Sequence, residues 1–362
     1  MPQLKHAPYP PTTAGLGGQP TKGLDDPITS VFLVLFVFGA VMHMVILQVN
    51  MRRKKKFIMS GLLFGFCMAR IVACTMRLVW STHLLNVSIA IAAQIFMAAG
   101  VFLLFIVNLV FAQRILRASH PEFAWAKWFS IMFKLYYASL ILMLIALITC
   151  TVQAFYTLST NTKRIDRNVQ LAGGTYFAVA AFLPFPLMAI NYLLPRKTRV
   201  DKFGTGRFRH KVCIVLFAAF LLTLGAAFRA GIAYVPRPAR NPAWYHSKAC
   251  FYTFNFTIEI IVVYVYAIIR VDKRFHVPDG SRAPGDYARD GVKDGPINPI
   301  TVIDMVNDEE EFFDAMETLA QVDAWDRRMK EKKHTDIEAH ARSRSVSNAT
   351  DLSGATKTEE HV

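Results

Sequence analysis

Seven long apolar blocks punctuate the chain, at 28–50, 57–80, 88–111, 131–153, 171–194, 212–235 and 249–270. A helix needs roughly 20 apolar residues to cross about 30 Å of hydrocarbon, and every block reaches that length. Inside hydrocarbon the backbone must satisfy its own N–H and C=O groups, so such blocks are read as helices. The pattern therefore predicts an all-α membrane protein, a seven-transmembrane helix bundle over residues 28–270.

The flanks have a different grain. Residues 1–27 hold six Pro and four Gly without an apolar run, which predicts a disordered N-terminal tail with no cleavable signal. Pro, Gly and Asp recur after the last block, so 271–306 reads as a linker. An amphipathic helix is expected over 307–333. Asn307 with Glu310 resembles a capping box, and Phe312, Met316, Leu319 and Val322 form a narrow apolar stripe. Residues 334–362 read as a disordered C-terminus, where Ser343, Ser345 and Ser347 lie in an Arg-rich tract open to phosphorylation.

Charge fixes the orientation. The loops after the first, third and fifth blocks carry 15 Lys and Arg, against 6 in the three alternate loops. Basic loops stay cytoplasmic, so the N-terminus is expected outside and the C-terminus in the cytoplasm. The whole chain has a formal charge of +15. It is segregated, with 28 Lys and Arg against 6 Asp and Glu over 1–270, then 13 against 20 over 271–362. Basic residues in short loops between apolar blocks point to the lipid bilayer as partner and away from nucleic acid. Trp80, Trp125, Trp128 and Trp244 fall at block ends, where an amphipathic ring suits the headgroup level.

Ionisable side chains in hydrocarbon are costly and mark pairing or function. Glu259 is the only acid inside the seven blocks, set against Arg70 and Arg77 in the second and Arg229 in the sixth. At about 1.5 Å per residue, Arg70 and Glu259 lie at the same depth. A buried ion pair between them is expected, with Arg229 as a second neighbour. Three readings stay open for it: a structural clamp, a switch sensitive to ligand or protons, and part of a polar transport path. His43, Arg77, Gln94, Asn108 and Asn255 are candidates for a polar pocket or for hydrogen bonds between helices. Pro184 and Pro186 are expected to kink the fifth helix.

Catalytic signatures are missing. There is no HExxH, GxSxG or P-loop, and His43 is the only histidine within a block, so neither an enzyme nor a metal site is indicated. No cofactor is expected either, because the seventh block lacks a mid-membrane lysine for a retinal Schiff base. Five cysteines without a CxxC or a loop pair suggest no disulfide framework.

Three runs carry a family resemblance: Arg229 to Tyr234 (RAGIAY), Pro242 to Glu259 (PAWYHSKACFYTFNFTIE) and Arg270 to Pro278 (RVDKRFHVP). They are similar to an uncharacterised seven-transmembrane family of filamentous fungi whose members are often labelled family C-like G-protein-coupled receptors. A fainter similarity links the same region to fungal RTA-like lipid-translocating exporters. Here Asn255 stands where that pattern has Asp, and Val277 separates His276 from Pro278. The first resemblance implies a receptor-like protein, in the plasma membrane rather than an internal one, that senses a ligand. It would signal through a cytosolic protein bound at loop 196–211 or at the tail helix 307–333. The second implies a lipid or small-molecule transporter. A membrane adaptor acting through its tail is a third reading.

Overall fold

Seven helices long and apolar enough to cross a membrane form the protein: α1 Asp25–Arg52, α2 Ile58–Thr82, α3 Val87–Ser119, α4 Lys127–Tyr156, α5 Thr160–Leu193, α6 Phe208–Tyr234 and α7 Lys248–Ile268. The computed structural model describes residues 6–11, 13–194, 201 and 203–287. The expected tail helix 307–333, the serines Ser343, Ser345 and Ser347, and residues 196–200 and 202 of the expected partner loop fall outside the described residues. Among the described residues there is no β-strand, only an isolated antiparallel bridge between Thr13 and Pro238. The protein is a multi-pass integral membrane protein with an all-α bundle.

Helix α3 and helix α7 are the most enclosed, whereas α4 and α1 turn most of their surface outward. Helix α3 is apolar all round, as a helix surrounded by others should be. Lipid tails are as apolar as leucine, so close packing rather than water expulsion must hold such helices together. Small residues provide it. A Cβ on Gly39 would lie 3.2 Å from Val263, and one on Gly173 only 2.8 Å from Leu147.

Most differences from the sequence reading are at helix ends. Helix α3 runs eight residues past the expected 111, and α5 begins at Thr160 with a polar stretch before its apolar part. The kink expected in α5 is a break at Leu183, with Pro184 opening a second helical segment to Leu193. Helix α1 starts at Asp25, so acids enter the bundle that the apolar blocks had left outside it.

The disordered N-terminal tail expected over 1–27 is replaced, in its described part, by a segment laid across the end of the bundle where α1 begins, the end expected to be the outer one. The backbone of Tyr9 donates to Phe155 (2.8 Å), that of Ala14 to Arg237 (2.8 Å) and that of Gly17 to His246 (3.0 Å). Gly17 has φ 77°, and a Cβ there would sit 2.5 Å from the Phe251 ring, so only glycine fits the contact.

The linker expected from 271 likewise begins as docked chain. Arg270 at φ 56° ends α7 in the left-handed region, and a helical turn at Val271–Arg274 follows. Phe275 then stacks on Phe111 with centroids 4.4 Å apart. Tyr287 packs on Trp125, and its N–H and that of Gly285 donate to Asp201 Oδ2.

Candidate functional site

The charged core is built from three helices. Arg70 and Glu259 are each 1% exposed. Arg70 Nε donates to Glu259 Oε2 at 2.6 Å, and its Nη2 donates to Oε1 at 2.8 Å. This bidentate geometry is the strong form of the arginine–carboxylate contact. The guanidinium is held between the rings of Phe66 and Phe256, 5.4 and 5.7 Å from their centroids. Arg229 from α6 completes a triad, its Nη1 donating to Glu259 Oε1 at 3.4 Å and to Asn255 Oδ1 at 3.1 Å.

Local backbone makes room for that third arginine. Residues Thr253–Thr257 form a π-helical turn inside α7. Such a turn inserts a residue and misaligns carbonyls, and it recurs at functional sites. Here the Phe254 carbonyl accepts from Arg229 Nη1 at 3.4 Å. Opposite it lies Gly225, where a Cβ would come within 3.0 Å of that oxygen.

A second cluster stands nearer the outer end. Asp25 is fully buried and accepts from Arg77 Nη2 at 2.7 Å, from Tyr252 Oη at 2.8 Å and from Lys248. Tyr252 also shares a hydrogen bond with Thr29 (2.8 Å), and Arg77 lies 4.0 Å above the Phe251 ring. Sequence reasoning missed Asp25 because it closes a Pro- and Gly-rich stretch. The signal was its rarity, since it is one of only six acids in residues 1–270. An acid in the first turn also suits the positive end of the helix dipole.

Both clusters border one cavity of about 1230 Å³. Arg77, Arg229 and Lys248 line it, as do Gln94, Asn255 and His246. Its apolar wall includes Met97, Val101, Phe105, Leu147 and Phe177, and residues of the N-terminal segment from Pro10 to Gln19 form part of its boundary. No Asp or Glu lines it among the described residues. The candidate pocket residues thus divide. Arg77, Gln94 and Asn255 reach the cavity, while His43 and Asn108 do not. His43 Nε2 bonds the Val263 carbonyl at 3.1 Å, and Asn108 Oδ1 accepts from Tyr266 Oη at 3.1 Å. Both are buried hydrogen-bonding links between helices.

Rings fill the bundle from the triad toward the tail. Phe36 packs against Phe66 and Phe256 beside Arg70, and Phe111 packs against Phe57, Tyr266 and Phe275 nearer the tail. An ion pair there is balanced: Arg270 Nη2 meets Asp272 Oδ2 at 2.8 Å, and Asn50 Nδ2 donates to the same oxygen at 3.0 Å. All five cysteines are free thiols, with Cys67 and Cys74 buried and Cys213 exposed.

Residues 204–276 match the family described as "Protein of unknown function (DUF3112)". That stretch takes in α6, α7 and two members of the triad, Arg229 and Glu259, but not Arg70. No curated protein and no solved structure matches the chain.

Proposed function

We propose that the chain is a receptor-like sensor of the plasma membrane, working by recognition and not by covalent chemistry. A ligand enters the outer cavity, draws on Arg229, and alters how α6 and α7 sit about Glu259. Helix α6 continues from loop 196–211 and α7 leads into the tail, so a cytosolic signalling protein at either would read the change. One observation carries this reading: Arg229 belongs to the cavity wall and to the buried triad at once. It is 26% exposed on its side chain where Glu259 is 2% exposed, so a ligand can reach the triad only through it. A ligand shifts a conformational equilibrium only through contacts that differ between the states, and Arg229 offers such a contact.

The test uses Cys213, exposed near the start of α6, labelled with an environment-sensitive fluorophore after Cys150→Ser and Cys250→Ser. Glu259→Gln and Arg229→Gln should each change its emission relative to the parent protein. Identical emission from all three, each eluting as folded monodisperse protein, would overturn the switch.

A second reading, a lipid or small-molecule transporter, is favoured by the size of the cavity, which exceeds the roughly 300–1,000 Å³ of ordinary ligand pockets. The aromatic packing beneath the triad argues against it. Phospholipid translocation in liposomes above the empty-liposome control, abolished by Glu259→Gln, would move the conclusion to transport.

A further inference from the structure

The two clusters beside the cavity are each short of one negative charge. Arg70 and Arg229 share the single carboxylate of Glu259, while Arg77 and Lys248 share that of Asp25. Each cluster is therefore left one positive charge in excess. Of the three cluster cations on the cavity wall, Arg229 at 26% and Lys248 at 24% retain exposure, while Arg77 is 4% exposed. Charges in a low-dielectric site are screened weakly, so the excess is felt inside the cavity. His246 adds a further polar group. It is 5% exposed, it lines the cavity, and its Nδ1 has no hydrogen-bond partner among the described residues. A buried polar atom without a partner in the chain can take one from a water or a ligand in the cavity.

The rest of the wall is of the opposite kind. Met97, Val101, Phe105, Leu147 and Phe177 present methyl groups and ring faces. A small hydrated anion would gain nothing from them, and a wholly apolar molecule would leave the cations uncompensated. Resting on the sensor reading above, we infer that the cavity binds an amphiphile: one anionic oxyacid head held by Arg229 and Lys248, and a long apolar chain along the α3–α5 wall. Two sources offer that chemistry, a free long-chain carboxylate and an anionic single-chain lipid released from the bilayer.

The experiment uses the full chain in phosphatidylcholine nanodiscs, with empty nanodiscs subtracted. Radiolabelled oleate is titrated, and oleyl alcohol and oleoyl lysophosphatidate serve as competitors. Saturable oleate binding is expected, with oleyl alcohol at least about tenfold weaker, as befits loss of a charge-assisted arginine contact. Arg229→Gln should weaken oleate by a similar factor and Arg229→Lys should restore most of it. If Arg229→Gln does not fold, Lys248→Gln serves in its place. Displacement by lysophosphatidate marks the bilayer as a source, and oleate binding without displacement marks the free carboxylate as the source.

Equal binding of oleate and oleyl alcohol would overturn the anionic head and leave the sensor reading standing with a neutral ligand. Failure of all three to bind folded protein would overturn the amphiphile altogether. The Cys213 emission of Glu259→Gln needs no ligand, so it still judges the sensor reading by itself.

Discussion

The outer and tail-side halves of the bundle treat the carboxylates Glu259, Asp25 and Asp272 in different ways. Toward the tail, Asp272 meets one arginine and one amide, and the space around α7 is closed by Phe111, Phe275 and Tyr266. Toward the outside, each carboxylate serves two cations, and a cavity of about 1230 Å³ lies alongside them. A carboxylate matched by one arginine and tied by the Asn50 amide fastens α1 to the turn after α7, and its exposed arginine is no part of the cavity wall. An unbalanced cluster beside open volume can hold helices and also exchange a counterion, which is what a binding site requires. The same residue types are thus a fastening in one half and a candidate receptor surface in the other.

The sharpest way to break the comparison is to remove the carboxylate at its centre. Glu259→Ala leaves Arg70 buried with its partner gone, and losing one member of a buried pair costs about 3–5 kcal/mol. Melting in detergent, followed by size-exclusion of the folded fraction, should show a larger loss than Asp25→Ala, Gly204→Ala or Asp272→Asn produces. Arg70→Met combined with Glu259→Met should recover part of it, because no buried charge then remains between α2 and α7. If Glu259→Ala melts with the parent protein, the triad is not closed in the folded state.

Asp25→Ala should come next, at about 2–3 kcal/mol, because Lys248 keeps some exposure and only Arg77 is left wholly buried. It should also loosen the segment that precedes α1. Asp25 accepts from the backbone N–H of Thr21 at 2.9 Å, and Arg77 donates to the Gly17 carbonyl at 3.3 Å. Limited proteolysis should therefore cut Asp25→Ala before α1 faster than it cuts Glu259→Ala. Equal cutting of the two would mean that the outer cluster does not anchor the segment.

How far the sequence made this arrangement legible differs between the same two halves. Apolar run length was enough for seven helices because the hydrocarbon thickness sets a single requirement. Depth along straight helices was enough to pair Arg70 with Glu259, since both stand near mid-span. Depth could not separate Asn108 and His43 from the cavity, because residues at similar depth can face different neighbours. Nor could composition reveal the N-terminal segment. Its contacts are backbone bonds to distant loops, Ala14 to Arg237 and Gly17 to His246, which carry no side-chain pattern. The π-turn at Thr253–Thr257 left no helical periodicity to detect, because Thr253, Asn255, Thr257 and Glu259 fall at every second position and mark no single helix face.

Gly204 tests whether the tail-side half is a rigid anchor. It has φ 59°, and a Cβ would collide with the Arg274 carbonyl oxygen. Gly204→Ala should cost about 1–3 kcal/mol from backbone strain and crowding. The loss should appear in the melting temperature while oleate binding at the outer cavity stays unchanged. A binding loss as large as that of Arg229→Gln would mean that the two halves are not separable.

The smallest effect sought is a pH dependence confined to the tail-side pair. Burial by itself would raise the Asp272 carboxyl, but hydrogen bonds from Arg270 and Asn50 outweigh it and hold the group below the usual carboxylate range. A carboxyl whose folded value is depressed stabilises the protein above its unfolded value, and that contribution is lost as pH falls through the range toward the folded value. Asp272→Asn should therefore be less stable than the parent near neutrality. The gap should narrow as pH drops from about 6 to about 3, the interval over which unfolded aspartate takes up its proton. Asp25 and Glu259 are common to both proteins, so the difference between the two melting curves isolates Asp272. A gap that does not change over that interval would mean that Asp272 takes up its proton equally in the folded and unfolded chain, and that the balance assigned to this half is one of shape and not of charge.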